Sequence, residues 1–116
     1  MRIYDATVNT MRGLACAAKT EAAPRQEMVV LVVALPAGLV IAPGVGWYLA
    51  MIAALLVTLA VELLNTAIER LSDRVTTECD TAIGRVKDFG SAAVACAICV
   101  AGMTWLAAAA VRFGIM

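Results

Sequence analysis

Glu62-Leu63-Leu64-Asn65-Thr66-Ala67-Ile68-Glu69-Arg70-Leu71-Ser72-Asp73 is the stretch from which the rest of the chain is read. On a helix turning about 100° per residue, Glu62, Asn65, Glu69 and Asp73 fall within an arc of roughly 80° and form one polar stripe. Leu63, Leu64, Ile68 and Leu71 cover the remainder, and a run without a single charge, Leu49 to Val61, leads into it. A carboxylate in or beside hydrocarbon is costly unless paired, solvated or neutralised, so acids in such a place mark function by default. Glu69 and Asp73 lie one turn apart, where like charges repel unless a cation is near. Carboxylate oxygens of this kind suit magnesium, which commonly takes one or two of them plus substrate phosphates. For Asp73 alone, a solvated helix end is an equally good account. For Glu62, held between Val61 and Leu63, it is not.

Composition sets the class. The chain has 116 residues, 63% of them hydrophobic, and a mean hydropathy of +0.90, which describes a single-domain membrane protein spanning residues 1–116. A formal net charge of zero supplies no basic excess for phosphate neutralisation, which argues against a nucleic-acid partner.

Residues 3–20 read as a short amphipathic surface helix. Tyr4, Val8, Met11, Ala15 and Ala18 draw one apolar face, with Arg2, Arg12 and Lys19 available to lipid phosphates. A secretory signal peptide does not fit, because Asp5, Glu21 and Glu27 precede or interrupt the apolar run that begins at Met28. Glu21 to Glu27 is a polar hinge whose Pro24 suits a first helical turn. Three apolar segments follow, at about 25–42, 47–72 and 89–111, each able to cross a bilayer. Pro36 predicts a kink in the first, Pro43-Gly44-Val45-Gly46 a tight turn, and Trp47-Tyr48 an interfacial anchor. Arg74 to Lys87 reads as a polar connection. The third span is rich in alanine, with Gly90, Ser91 and Gly102 permitting close packing.

With three crossings, the N-terminal segment and the 73–88 connection share one side, which carries every Lys and Arg except Arg112. The positive-inside rule places that side, and with it the acids, in the cytoplasm. Cys16 and Cys79 then face a reducing compartment, and Cys96 with Cys99 lie in an apolar span of a chain that has no histidine, so packing is the better account of them than metal or redox chemistry. No Walker-type glycine loop is present. The remaining phosphate handle is Ile83-Gly84-Arg85-Val86-Lys87-Asp88-Phe89-Gly90-Ser91, with two cationic side chains between glycines.

The run Glu62 to Glu69, then Asp73, then Gly84-Arg85-Val86-Lys87-Asp88-Phe89-Gly90-Ser91-Ala92-Ala93-Val94, closely resembles the prokaryotic diacylglycerol kinases. Glu21-Ala22-Ala23, Arg25-Gln26-Glu27 and Arg12-Gly13-Leu14 match as well, so the resemblance covers nearly the whole chain. It implies an all-α integral membrane fold: a surface helix and three transmembrane helices per subunit of a homotrimer, with active sites shared between neighbours. It also implies a bacterial inner-membrane enzyme that moves the ATP γ-phosphate to a lipid hydroxyl. By matching position, Glu62 is the general base and Asn65 orients the reacting groups. Glu21 and Glu69 hold magnesium. Arg2, Asn9, Glu21, Glu69, Glu78, Cys79, Asp80, Lys87 and Asp88 fall on the nucleotide side. Arg2, Met11, Arg25, Gln26, Glu27, Tyr48, Glu62, Ser91 and Trp105 fall on the lipid side. The family often carries tryptophan where Met11 stands and an aromatic where Pro24 stands. Within the family the alternative substrate is undecaprenol. Outside it, the alternative is a small transporter with Glu62 as a proton or cation relay, which would need that acid nearer the centre of its span.

Overall fold

The computed structural model describes residues 2–76 and 78–115, and these form four helices: α1 (Arg2–Thr20), α2 (Ala22–Ile41), α3 (Val45–Val75) and α4 (Thr81–Arg112). The last three are long and apolar enough to cross a membrane. At about 1.5 Å per residue, α3 and α4 each extend roughly 46–48 Å, beyond the hydrocarbon core at one or both ends. Both helices are therefore longer than a bilayer core needs, and the acid stripe lies in the second half of α3.

The breaks between helices are shorter than the sequence suggests. The hinge expected over residues 21–27 reduces to Glu21, because Ala22, Ala23 and Pro24 already form the first turn of α2, where a missing proline N–H removes no bond. The connection expected over residues 74–87 reduces to 76–80. Asp80 caps α4 by accepting from the Ile83 N–H at 3.0 Å, which starts the helix eight residues ahead of Phe89. Helix α2 passes Pro36 as one element, and the Leu35 carbonyl accepts from the Tyr48 hydroxyl at 2.9 Å. Tyr48 can lie there because Gly38 offers no side chain; a Cβ would meet its ring at 3.0 Å.

Helix α3 is the centre of the bundle. It packs along α4 on one side and α2 on the other, while α2 and α4 scarcely touch. The apolar core is thin: Met51, Leu55 and Leu59 from α3, Ala34 from α2, and Ala97, Ala101 and Ala108 from α4. Alanine on α4 lets the backbones approach, so that Thr58 Oγ1 lies 3.3 Å from the Ala97 carbonyl and Trp105 Nε1 donates to the Met51 carbonyl at 3.0 Å. Large apolar side chains such as Val32, Leu39, Leu49, Val57, Met103 and Leu106 point outward, as a surface solvated by lipid or by other copies requires.

Helix α1 buries only part of the apolar face that its spacing draws. Of that face Val8 and Ala18 are half-buried while Tyr4, Met11 and Ala15 are exposed, and beside it Leu14 is half-buried and Ala17 buried. The helix makes its contacts with α2, and small residues such as Gly13, Cys16 and Ala17 line the side of α1 that faces α3 across a shallow pocket.

Candidate functional site

The α3–α4 seam builds the site. Going toward the end that carries most of the charge, α3 presents Thr58, Glu62, Asn65, Glu69 and Asp73 on successive turns, and α4 runs antiparallel past them. Thr58 meets Ala97, Asn65 meets Gly90, and Asp73 meets Lys87. Glu62 and Asn65 are each only 8% exposed, an uncommon position for a carboxylate and an amide beside apolar helices. Asn65 Nδ2 donates to Glu69 Oε1 at 3.4 Å, while its Oδ1 is buried without a hydrogen-bond partner and rests against Gly90. A Cβ at position 90 would overlap that oxygen, so glycine here makes the room in which Asn65 sits.

Toward the end of the stripe the residues are wetter. Glu69 is exposed, and Asp73 accepts from Lys87 Nζ at 2.7 Å with both side chains roughly half exposed. Lys87 also lies within electrostatic reach of Glu69, and Glu62 within reach of Glu27 and Glu69. The seam thus grades from a dry carboxylate at Glu62 to a solvated cluster of mixed charge around Asp73.

Glu21 enters from the junction of α1 and α2. It stands at the N-cap of α2 without capping it by its side chain. Its two oxygens instead receive Nε and Nη2 of Arg70, each at 2.5 Å, in a bidentate pair between residues 49 positions apart. The Glu21 side chain is 15% exposed and that of Arg70 65%. The hydrogen bonds from the guanidinium hold the Glu21 carboxyl below the usual carboxylate range, against the opposing effect of burial. Neither motif nor spacing in the sequence assigns Arg70 a role; only the fold brings the 20–22 junction beside it.

Among the described residues, no three His, Cys, Asp or Glu side chains gather as a metal site of their own. Magnesium asks for less, one or two carboxylates completed by phosphate oxygens. Glu69 and Glu21 are hard oxygen donors that fit this requirement, though Glu21 is already engaged by a cation.

An open apolar groove of about 530 Å³ lies between α2 and α4, with α3 as its floor. Val30, Val33 and Ala34 form one wall, Ile98, Ala101 and Trp105 the other, and Leu55 and Thr58 the floor. Glu27 stands in its lining, and Glu62 lies one turn beyond Thr58 on the same side of α3. Of the residues expected on the lipid side, Glu27 and Trp105 line this groove. Arg25, Gln26 and Ser91 are exposed, and Tyr48 packs against α2. Arg2, Asn9 and Met11 are exposed along α1, Glu78 and Cys79 in the 76–80 connection, and Asp88 on α4. Asp80, expected on the nucleotide side, holds the start of α4.

A family model for prokaryotic diacylglycerol kinase matches residues 8–109. The diacylglycerol kinase of Haemophilus influenzae is 35% identical over 103 residues, covering 89% of this chain and 87% of its own. Those of Pseudomonas aeruginosa and Escherichia coli K12 are 40% and 38% identical over 104 residues, each covering 90% of this chain and 85% of theirs. The chain belongs to the prokaryotic diacylglycerol kinase family. It is an enzyme, a multi-pass membrane lipid kinase.

Proposed function

We propose that the protein phosphorylates diacylglycerol to phosphatidic acid with ATP, at the cytoplasmic face of the bacterial inner membrane, as a homotrimer. The observation that carries this reading is the dry carboxylate of Glu62 lying just beyond an apolar groove and just before a solvated, charged cluster. That is where a lipid alcohol and a triphosphate can meet. The relatives' shared name supplies the substrate class.

The acyl chains lie in the groove against Trp105, Ala101 and Val33, with the glycerol end beside Glu27 and, around it, Arg25, Gln26 and Ser91. The remaining lipid-side candidates, Arg2, Met11 and Tyr48, are assigned by resemblance. Glu62 accepts the hydroxyl proton as the lipid oxygen bonds to the γ-phosphorus and the bond to the bridging oxygen of ADP breaks. Asn65, held between Gly90 and Glu69, keeps the reacting groups aligned. Magnesium, held by Glu69 and Glu21 when bound, would neutralise charge on the phosphate oxygens. Lys87 and Asp88 bind nucleotide, with Arg2, Asn9, Glu78, Cys79 and Asp80 as further contacts by resemblance. Three membrane helices leave the solvated cluster open on one side, which supports assembly and sites completed by a neighbouring subunit.

Glu62→Gln should abolish phosphoryl transfer in mixed micelles while the protein still assembles; near-normal turnover would reject the general-base role. A panel of diacylglycerol, ceramide and undecaprenol under the same conditions separates diacylglycerol from the polyprenol alternative.

A further inference from the structure

We propose that Arg70 is an internal counter-cation for Glu21 that gives up its place when metal and nucleotide load, its freed guanidinium then taking phosphate oxygens of the nucleotide. Three observations converge on this exchange. The pair is a two-pronged fork that engages both Glu21 oxygens, so a metal ion has to compete with the guanidinium for that carboxylate. Glu21 forgoes the capping bond its backbone position offers, so the carboxylate is committed to this partner. Arg70 itself is 65% exposed and lies within electrostatic reach of Glu69 and Asp73, so it stands beside the solvated end of the acid stripe with room to swing. A planar guanidinium fits carboxylate and phosphate with the same fork, which makes the exchange chemically matched. The proposal rests on the reading of Glu21 as a metal ligand.

Because Arg70 faces solvent, its competition is modest, and its removal should tighten metal binding about threefold. The test uses full-length protein in detergent micelles. Mn²⁺ binding in the absence of nucleotide is followed by electron paramagnetic resonance, and binding of the magnesium complex of β,γ-imido-ATP by calorimetry. Arg70→Ala should bind Mn²⁺ about threefold more tightly and the nucleotide analogue at least threefold more weakly, with Arg70→Lys, which keeps charge but loses the fork, falling between. Opposite signs are the signature. Unchanged or weaker Mn²⁺ binding, or unchanged or tighter nucleotide binding, overturns the exchange. Glu21→Gln separates the two layers. If it leaves Mn²⁺ binding unaltered in both wild-type and Arg70→Ala backgrounds, the metal-ligand reading fails. If it weakens Mn²⁺ binding while Arg70→Ala has no effect, the exchange alone fails.

Discussion

Gly90→Ala tests whether the α3–α4 seam is set by the fit of Asn65 against a bare backbone. The new methyl would occupy the position of Asn65 Oδ1, so one of the two must move by roughly an ångström or more. The α3 and α4 backbones are held together above and below by Thr58 on Ala97 and Lys87 on Asp73, which leaves the Asn65 side chain as the part free to yield. Overpacking of this kind costs about 1–3 kcal/mol. A displacement of that size in a positioning group lowers kcat by up to roughly 100-fold. The assay is phosphorylation of diacylglycerol in mixed micelles together with reversible unfolding in a denaturing detergent. Asn65→Ser, which shortens the side chain, should recover stability in the Gly90→Ala background, giving a coupling energy of about 1 kcal/mol or more. Strict additivity of the two changes, or a Gly90→Ala enzyme with unaltered kcat, would refute the fit.

Gly84→Ala is the contrasting case: a Cβ there meets nothing within 4 Å, so replacing a glycine near the start of α4 should stabilise by about 0.4–1 kcal/mol in a thermal melt. Trp105→Phe removes the indole donor to the Met51 carbonyl and narrows one groove wall. It should cost about 1 kcal/mol of stability and raise KM for lipid while leaving KM for ATP unchanged. The Glu21 carboxyl, held low by Arg70, contributes stability that is complete above the ordinary glutamate value of about 4.3 and is lost as pH falls through its lower folded value. Protease release of α1 should therefore rise as pH falls through that value in the wild type, whereas Arg70→Ala, which lacks the pair, should release α1 already at neutral pH without that acid-dependent rise.

The membrane-spanning segments are legible in the sequence because a charge-free run of bilayer length has almost no place in a small soluble domain, and the acid stripe because its residues recur at helical spacing within one run. The register of α4 is not legible. Asp80 followed three residues on by Ile83 is a helix-start signal, but a polar segment rich in Arg, Lys and Asp reads equally as a loop, and only the observed cap decides it. The inward face of α1 is legible only in part. Val8 and Ala18 of the apolar face are half-buried, but Ala17 and Leu14 join them from beside it, whereas the stronger apolar marks, Tyr4 and Met11, are exposed. Arg70 gives no signal because its partner lies 49 residues earlier, a separation that helical periodicity does not address.

On the proposed reading, one seam serves packing and chemistry together. A face of α3 built only for association would put leucine or alanine opposite the small residues of α4; here Thr58, Asn65 and Asp73 take those places, and Ala97, Gly90 and Lys87 are the residues that admit them. The buried Oδ1 of Asn65, without a hydrogen-bond partner, is a cost to the folded chain, since an unmet buried acceptor is expensive. Replacing Asn65 by leucine would remove that cost but enlarge the side chain against Gly90, whereas alanine removes both the cost and the contact. Asn65→Ala should therefore unfold no more readily than wild type while losing turnover. That combination is what a polar residue kept for its chemistry predicts, and a residue kept for the bundle would show the reverse.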